Sequence, residues 1–191
     1  MTQWLYHRIG KRLLDMALAG LGLTLFSIPL AWIAWGIFRE SGRPVFFRQT
    51  RIGHRGKEFL IMKFRTMTST GEVTHLGERL RATAMDELPQ LFHILKGQMS
   101  FVGPRPLIPE GLQELRQIPN GDRRLSVRPG LTGLAQLYGA KVPTLVERVK
   151  WDIEYVNRCS LGLDLTILFK SVGVTLKGAW ERPGSKMLKE A

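Results

Sequence analysis

Cysteine is almost missing from this chain. The single Cys159 has no partner for an intrachain disulfide and cannot build a cysteine metal cluster, so it reads as a buried or incidental thiol. Acidic residues are scarce as well: 16 Asp and Glu stand against 28 Lys and Arg, a formal net charge of +12. An excess of that sign and size implies an anionic partner, whether nucleic acid, anionic lipid or a phosphorylated substrate. No internal repeat and no low-complexity linker breaks the sequence, which speaks for one unit rather than a string of modules. At 191 residues that unit is one domain with an appendage, long enough to bury its own core.

Charge is absent altogether from Met16 to Phe38, a run of 23 residues that matches the roughly 20 residues of helix needed to cross a bilayer core. Such a run must meet lipid. It is longer than a signal h-region of about 7–15 residues, and Phe38-Arg39-Glu40 is no small-residue cleavage site, so it does not read as a cleaved secretory signal. Hydropathy alone describes a straight transmembrane helix. Two features argue instead for a re-entrant hairpin. Arg8, Lys11 and Arg12 precede the run while Arg39, Arg43, Arg48, Arg51, Arg55 and Lys57 follow it, so both ends favour the cytoplasmic side. Pro29 lies near the middle, where it removes a helix hydrogen bond, and the Ser27 hydroxyl is placed to serve a freed carbonyl. Asp15, beside Arg12 at the membrane edge, is expected to pair with a neighbouring arginine in a structural role.

The stretch from Met85 to Leu107, MDELPQLFHILKGQMSFVGPRPL, carries the strongest chemical signal. Leu88, Leu91, Phe92 and Leu95 fall at i, i+3, i+4 and i+7 and predict one apolar helix face, with Lys96 and Gly97 as its stop. Asp86 and Glu87 then sit in the first turn, where the helix dipole favours ionised carboxylates. An acid pair there is either a simple cap or a nucleophile and magnesium ligand. Gly103-Pro104-Arg105-Pro106 holds an arginine on a stiff loop, suited to meeting a phosphate or to making a rigid surface turn. Ser126 to Gln136 repeats the idea with Arg128-Pro129-Gly130 and further glycines, whose exposed amides would line an anion site. Two carboxylates with several loop arginines suggest a metal-assisted site for a diphosphate-linked substrate.

Pro44–Gln49 and Glu58–Met67 predict two short strands joined through Gly53 and Gly56 as a β-hairpin. Lys63 and Arg65, two apart, share one strand face and point toward either substrate or membrane surface. Leu76–Ala84 predicts a helix that delivers Arg81 five residues before Asp86, and Glu110–Gln117 a surface helix closed by Gly121-Asp122-Arg123-Arg124. Thr144–Asn157 predicts an amphipathic helix with Asp152 and Tyr155 near its end. Leu161–Trp180 is apolar with Lys170 and Lys177, and reads as an interfacial helix or an ordinary core helix; Asp164 and the lysines speak against a second membrane span.

The segments KFRTM at Lys63 to Met67, DELPQLFHILKGQMSFVGPRPL and RPGLTGLAQ, in that order, resemble the bacterial sugar transferase family, the monotopic phosphoglycosyl transferases, and the resemblance runs from about Lys11 to about Lys177. It implies a mostly helical α+β fold: residues 1–40 a re-entrant membrane helix with basic flanks, 41–182 a catalytic domain with a short β-hairpin and interfacial amphipathic helices, and 183–191 a flexible tail. It places a Ser-Pro pair at the membrane bend, from which this chain departs by inserting Ile28 between Ser27 and Pro29. It further implies transfer of a phosphosugar from a UDP-sugar to undecaprenyl phosphate or a similar polyprenol phosphate. UMP is released and Mg2+ is required, at the cytoplasmic face of the bacterial inner membrane, among phospholipid and without nucleic acid. In that reading Asp86 is the nucleophile and Glu87 binds magnesium or positions the acceptor. Lys63, Arg65, Arg81, Arg105, Arg128, Asp152 and Tyr155 would line the substrate site. A homodimer is left open. Two rival readings survive from residues alone: a membrane-anchored basic adaptor without catalysis, and a glycosyl transferase that moves only the sugar and releases UDP.

Overall fold

A computed structural model describes residues 6–138, 144–178 and 180, without the side chains of His7 and Arg8; the tail from 183 and the Arg8 flank lie outside the described residues. The apolar run forms two helices, α1 (Lys11–Leu25) and α2 (Ser27–Ser41), bent by 61° at Phe26. Pro29 falls in the first turn of α2, a position whose N–H needs no helical partner, so the bend costs little there. The Ser27 hydroxyl donates to the Thr24 carbonyl at 2.9 Å, beside a backbone N–H that this carbonyl also accepts at the break. Among the described residues no single helix is long and apolar enough to cross a membrane; the bent pair passes that test together. Its outer surface, Leu21, Leu25, Ile28, Trp32 and Trp35, is exposed.

Its inner surface docks on the rest of the chain. Ala19 packs against Phe59, Ile61, Leu91, Ile94 and Met99, while Ile37 packs against Phe64 and Leu80. Polar anchors fix the register. Arg12 donates to the carbonyls of Ile94 and Leu95 at 2.5 and 2.6 Å. Asp15 accepts from the Ser100 hydroxyl at 3.1 Å and the Phe101 N–H at 3.0 Å, so the expected arginine partner gives way to a backbone amide and a serine. The Arg12 guanidinium is committed to carbonyls at the end of a later helix, that of Ile94 also accepting the Gly97 N–H at 3.0 Å.

Strands β1 (Phe46–Ile52) and β2 (Glu58–Phe64) form the expected antiparallel hairpin, with Phe47 opposite Lys63 and Gln49 opposite Ile61. Helix α3 (His75–Ala82) follows, its N-terminus capped by the Thr74 hydroxyl. The expected single helix after Asp86 is instead a 310 turn (Met85–Gln90) leading into one turn of α-helix, α4 (Leu91–Leu95). Three residues per turn rather than 3.6 shifts the phase, so Phe92 is 46% exposed and Ile94 takes its place in the core.

Beyond α4, β3 (Ser100–Val102) pairs in parallel with β4 (Gly130–Thr132). A Cβ at Gly130 would lie 2.1 Å from the Gly103 nitrogen, and one at Gly103 would lie 2.4 Å from the Arg128 carbonyl. Only glycine lets these backbones meet. The anion-binding reading is therefore corrected at Gly130 of the second loop, whose N–H donates to the Pro104 carbonyl at 2.9 Å, while the Gly103 N–H of the proline loop donates to the Thr132 carbonyl at 2.9 Å. Helices α5 (Pro109–Gln117), α6 (Leu134–Tyr138), α7 (Leu145–Arg158) and α8 (Leu161–Leu176) complete the fold, with a 310 turn at Gly121–Ser126. Ile167 of α8 enters a core with Val102, Val127, Tyr155 and the buried Cys159, whereas Leu161, Leu165, Phe169, Val172 and Leu176 stay exposed. The helix thus has both a core face and an open apolar face. The architecture is α+β, mostly helical, with one short antiparallel hairpin.

Candidate active site

Strand alternation builds one wall of a cleft. Phe47, Gln49 and Arg51 of β1 and Ile61 and Lys63 of β2 lie on the same sheet face. Glu87 and Gln90 of the 310 turn, Arg105 and Pro106 of the proline loop, and Gly130 complete the lining of about 350 Å3 open to solvent. Across it Arg105 Nη2 donates to Glu87 Oε1 at 2.9 Å. Lys63 Nζ stands 5.5 Å from the centre of the Phe47 ring, a cation held over an aromatic face. Arg51 donates to Gln49 Oε1 at 2.6 Å and to the Pro106 carbonyl at 3.3 Å, tying the hairpin to the arginine loop.

Asp86 precedes Glu87 in the first turn and is 5% exposed, at the edge of this lining rather than within it. The chain reaches it through Ala84, a non-glycine residue at φ 54. Left-handed alanine costs roughly 1–2 kcal/mol, a local strain stored two residues before the acid pair begins. Asp86 is thus buried in the turn, where the Glu87 N–H donates to the Ala84 carbonyl at 3.2 Å.

The expected site residues divide into two groups. Lys63, Glu87 and Arg105 meet in the cleft, Asp86 adjoins it, and Arg81 lies half-buried in the last turn of α3, five residues upstream. Four others are placed elsewhere. Arg65 donates to the carbonyls of Ser41 and Gly42 at 2.6 and 2.8 Å and of Arg43 at 3.1 Å, where it caps α2 instead of facing the cleft. Arg128 donates through Nε to the Gly97 carbonyl at 2.9 Å. Desolvation, with Arg12 nearby, holds the Arg128 guanidinium below its usual pKa.

Asp152 and Tyr155 are core residues. Asp152 forms a buried pair with Arg124 at 2.8 Å, and burial lifts its carboxyl to about 6 although Arg124 and Arg148 pull the other way. The Tyr155 hydroxyl lies 2.8 Å from Asp164 Oδ1 and 3.1 Å from the Val102 carbonyl. Asp164 is shared with Lys11 at 2.5 Å and Tyr6 at 2.6 Å, which ties the start of α1 to α7 and α8. Burial first, and Asp164 after it, raise both tyrosines above the ordinary range.

Gln49, Arg51, Gln90 and Arg124 were not expected at or behind the site. For Gln49 and Arg51 the signal was available, since period-two alternation in FFRQTRI sets Phe47, Gln49 and Arg51 on one face opposite Lys63. Among the described residues no group of three or more His, Cys, Asp or Glu could hold a metal. Asp86 and Glu87 supply two adjacent carboxylates, a donor set that fits magnesium arriving with substrate phosphate oxygens and water, rather than a resident metal cage.

Comparison with known proteins gives the family. Residues 6–178 match the family model described as bacterial sugar transferase. The chain is similar to the UDP-glucose:undecaprenyl-phosphate glucose-1-phosphate transferase of Caulobacter vibrioides, 40% identical over 181 residues that cover 85% of this chain and 68% of that protein. A protein of the same name from Klebsiella pneumoniae is 39% identical over 185 residues, 87% of this chain and 40% of the relative. An exopolysaccharide production protein of Sinorhizobium fredii is 36% identical over 193 residues, 86% of this chain and 84% of the relative. The chain spans only about two-fifths of the length of several such relatives, including those of Haemophilus influenzae, Klebsiella pneumoniae and Escherichia coli, at 42%, 40% and 40%.

Proposed function

The chain belongs to the bacterial sugar transferase family, and from that premise we propose that it transfers a phosphosugar from a UDP-sugar to a polyprenol phosphate such as undecaprenyl phosphate. The observation that carries the reading is the cleft itself. An acid pair, one member buried and one facing the cavity, meets Arg105, Lys63 and Arg51 on three separate elements, which is the charge arrangement a diphosphate requires.

In the first step an Asp86 carboxylate oxygen attacks the phosphorus that bears the sugar. The bond from that phosphorus to the UMP phosphate oxygen breaks, and UMP leaves with the electron pair. In the second step an oxygen of the lipid phosphate attacks the same phosphorus, the bond to Asp86 breaks, and the carboxylate is restored with a polyprenyl diphosphosugar as product. Arg105, Lys63 and Arg51 neutralise the diphosphate. Magnesium held by Glu87, Asp86 and phosphate oxygens would add Lewis-acid stabilisation of the leaving UMP.

The bent pair α1 and α2, apolar on its outside and flanked by arginines, supports a re-entrant seat in one leaflet of the inner membrane with the cleft on the cytoplasmic face. The exposed strip of α8 would lie in the same interface. A site at the headgroup plane brings a soluble donor and a lipid phosphate together. The test is nucleotide release from a panel of UDP-sugars with magnesium and polyprenol phosphate, comparing wild type with Asp86→Asn. UMP from one donor, lost in the variant, is expected. UDP would mean sugar transfer instead, and no nucleotide from any donor would leave the basic-adaptor reading standing.

A further inference from the structure

Behind the arginine loop lies a second acid–arginine pair that the proposed chemistry does not touch. Arg124 Nη2 donates to the Arg105 carbonyl at 2.7 Å and reaches Asp152 Oδ2 at 2.8 Å. Arg124 comes from the 310 turn Gly121–Ser126 and Asp152 from the buried face of α7. Both side chains are 4% exposed, and neither lines the cleft. Arg124 instead borders a smaller cavity behind Pro104–Leu107, and its Nε and Nη1 are buried with no hydrogen-bond partner among the described residues.

Such a pair is a poor way to hold a core together. Desolvating two ions offsets most of their attraction, and apolar side chains of similar size commonly serve as well or better. Two guanidinium nitrogens without hydrogen-bond partners add to the cost. What the pair does supply is direction, because a planar guanidinium whose Nη2 is held by a carboxylate aims the second N–H of that nitrogen at one carbonyl.

We propose that Asp152 and Arg124 are positioning residues for Arg105: Asp152 orients the Arg124 guanidinium, which fixes the backbone at Arg105 so that its side chain meets Glu87 and the substrate diphosphate. The proposal rests on the phosphosugar-transfer reading for what Arg105 binds. The relay itself is read from geometry.

The test uses the full chain with the double substitution Arg124→Met and Asp152→Leu, which removes both charges together. Thermal unfolding, KM and kcat for the UDP-sugar, and amide hydrogen exchange at Gly103, Arg105 and Leu107 are measured on it and on wild type. The double variant is expected to unfold at or above the wild-type temperature. Its KM should nevertheless rise about tenfold, more than kcat falls, while exchange in the loop quickens about tenfold and the β1–β2 hairpin is unchanged. Should the double variant unfold below wild type, Arg124→Lys carries the same comparison, since an ammonium keeps the charge without the fork. Wild-type KM and wild-type loop exchange in a folded variant would overturn the relay and leave the pair merely structural. A wild-type protein that releases no UMP would overturn the phosphosugar reading instead, and loop exchange would still decide the relay.

Discussion

Two acid–arginine pairs flank the Arg105 loop, built from the same chemistry in opposite surroundings. On the cleft side Arg105 and Glu87 are 43% and 13% exposed; behind the loop Arg124 and Asp152 are 4% and 4% exposed. Water screens the first pair and lets it open, so in the proposed chemistry the Arg105 guanidinium would exchange Glu87 for a phosphate without a large penalty. The second pair has no such freedom, because separating its members would leave a charge in the core. The pair proposed to open to substrate keeps its arginine partly in solvent, and the pair proposed to hold the loop in place is buried.

The comparison breaks most sharply at Arg105. Arg105→Ala should lower kcat/KM about a hundredfold or more, roughly 3 kcal/mol of transition-state stabilisation, with little change in Tm, checked by initial rates beside thermal unfolding. Gly130→Ala strikes the floor shared by both pairs. Its Cβ would meet the Gly103 nitrogen at 2.1 Å, which should cost about 3 kcal/mol and lower Tm by roughly 6–12 °C in a scan.

Asp152 sharpens the buried side through pH. Its carboxyl stands at about 6 in the folded protein because desolvation outweighs the pull of Arg124 and Arg148. The native state therefore binds this proton more tightly than the unfolded chain does. The contribution to stability is complete below the unfolded pKa of about 4 and is lost as pH rises through about 6, at most about 3 kcal/mol. Asp152→Asn should remove that slope, seen as a flatter curve of unfolding free energy against pH between 4 and 6 than wild type shows. The smallest effect belongs to a third pair, Arg158 with Glu154 on α7, 68% and 45% exposed. Arg158→Ala should shift stability by no more than about 0.5 kcal/mol in denaturant titration.

Much of the site was legible in the sequence because its signals are local. An acid pair opening an apolar segment, an arginine between prolines and a hairpin of two short strands around Gly53 and Gly56 follow from spacing alone, and the break near Ser27 and Pro29 was marked by a proline in an apolar run. The arginines were harder to place. Arg65 caps the end of α2 and Arg12 the end of α4, 82 residues away, and nothing local says which helix end lacks donors. The glycines of the second loop misled for a related reason. Glycine serves both amide display and close backbone approach, and only the β3–β4 pairing shows that Gly130 serves the second, against Gly103 of the proline loop. The face of the helix after Asp86 shifted because one 310 turn breaks the 3.6-residue period.

The central claim, that Asp86 carries the phosphosugar between donor and acceptor, is tested most directly by intact mass of the protein incubated with magnesium and its UDP-sugar in the absence of polyprenol phosphate. A gain equal to one phosphosugar, matched by UMP, absent in Asp86→Asn and discharged on adding the lipid phosphate, is the predicted result. Turnover to UMP that requires both substrates together, with no adduct trapped at any time, would contradict it.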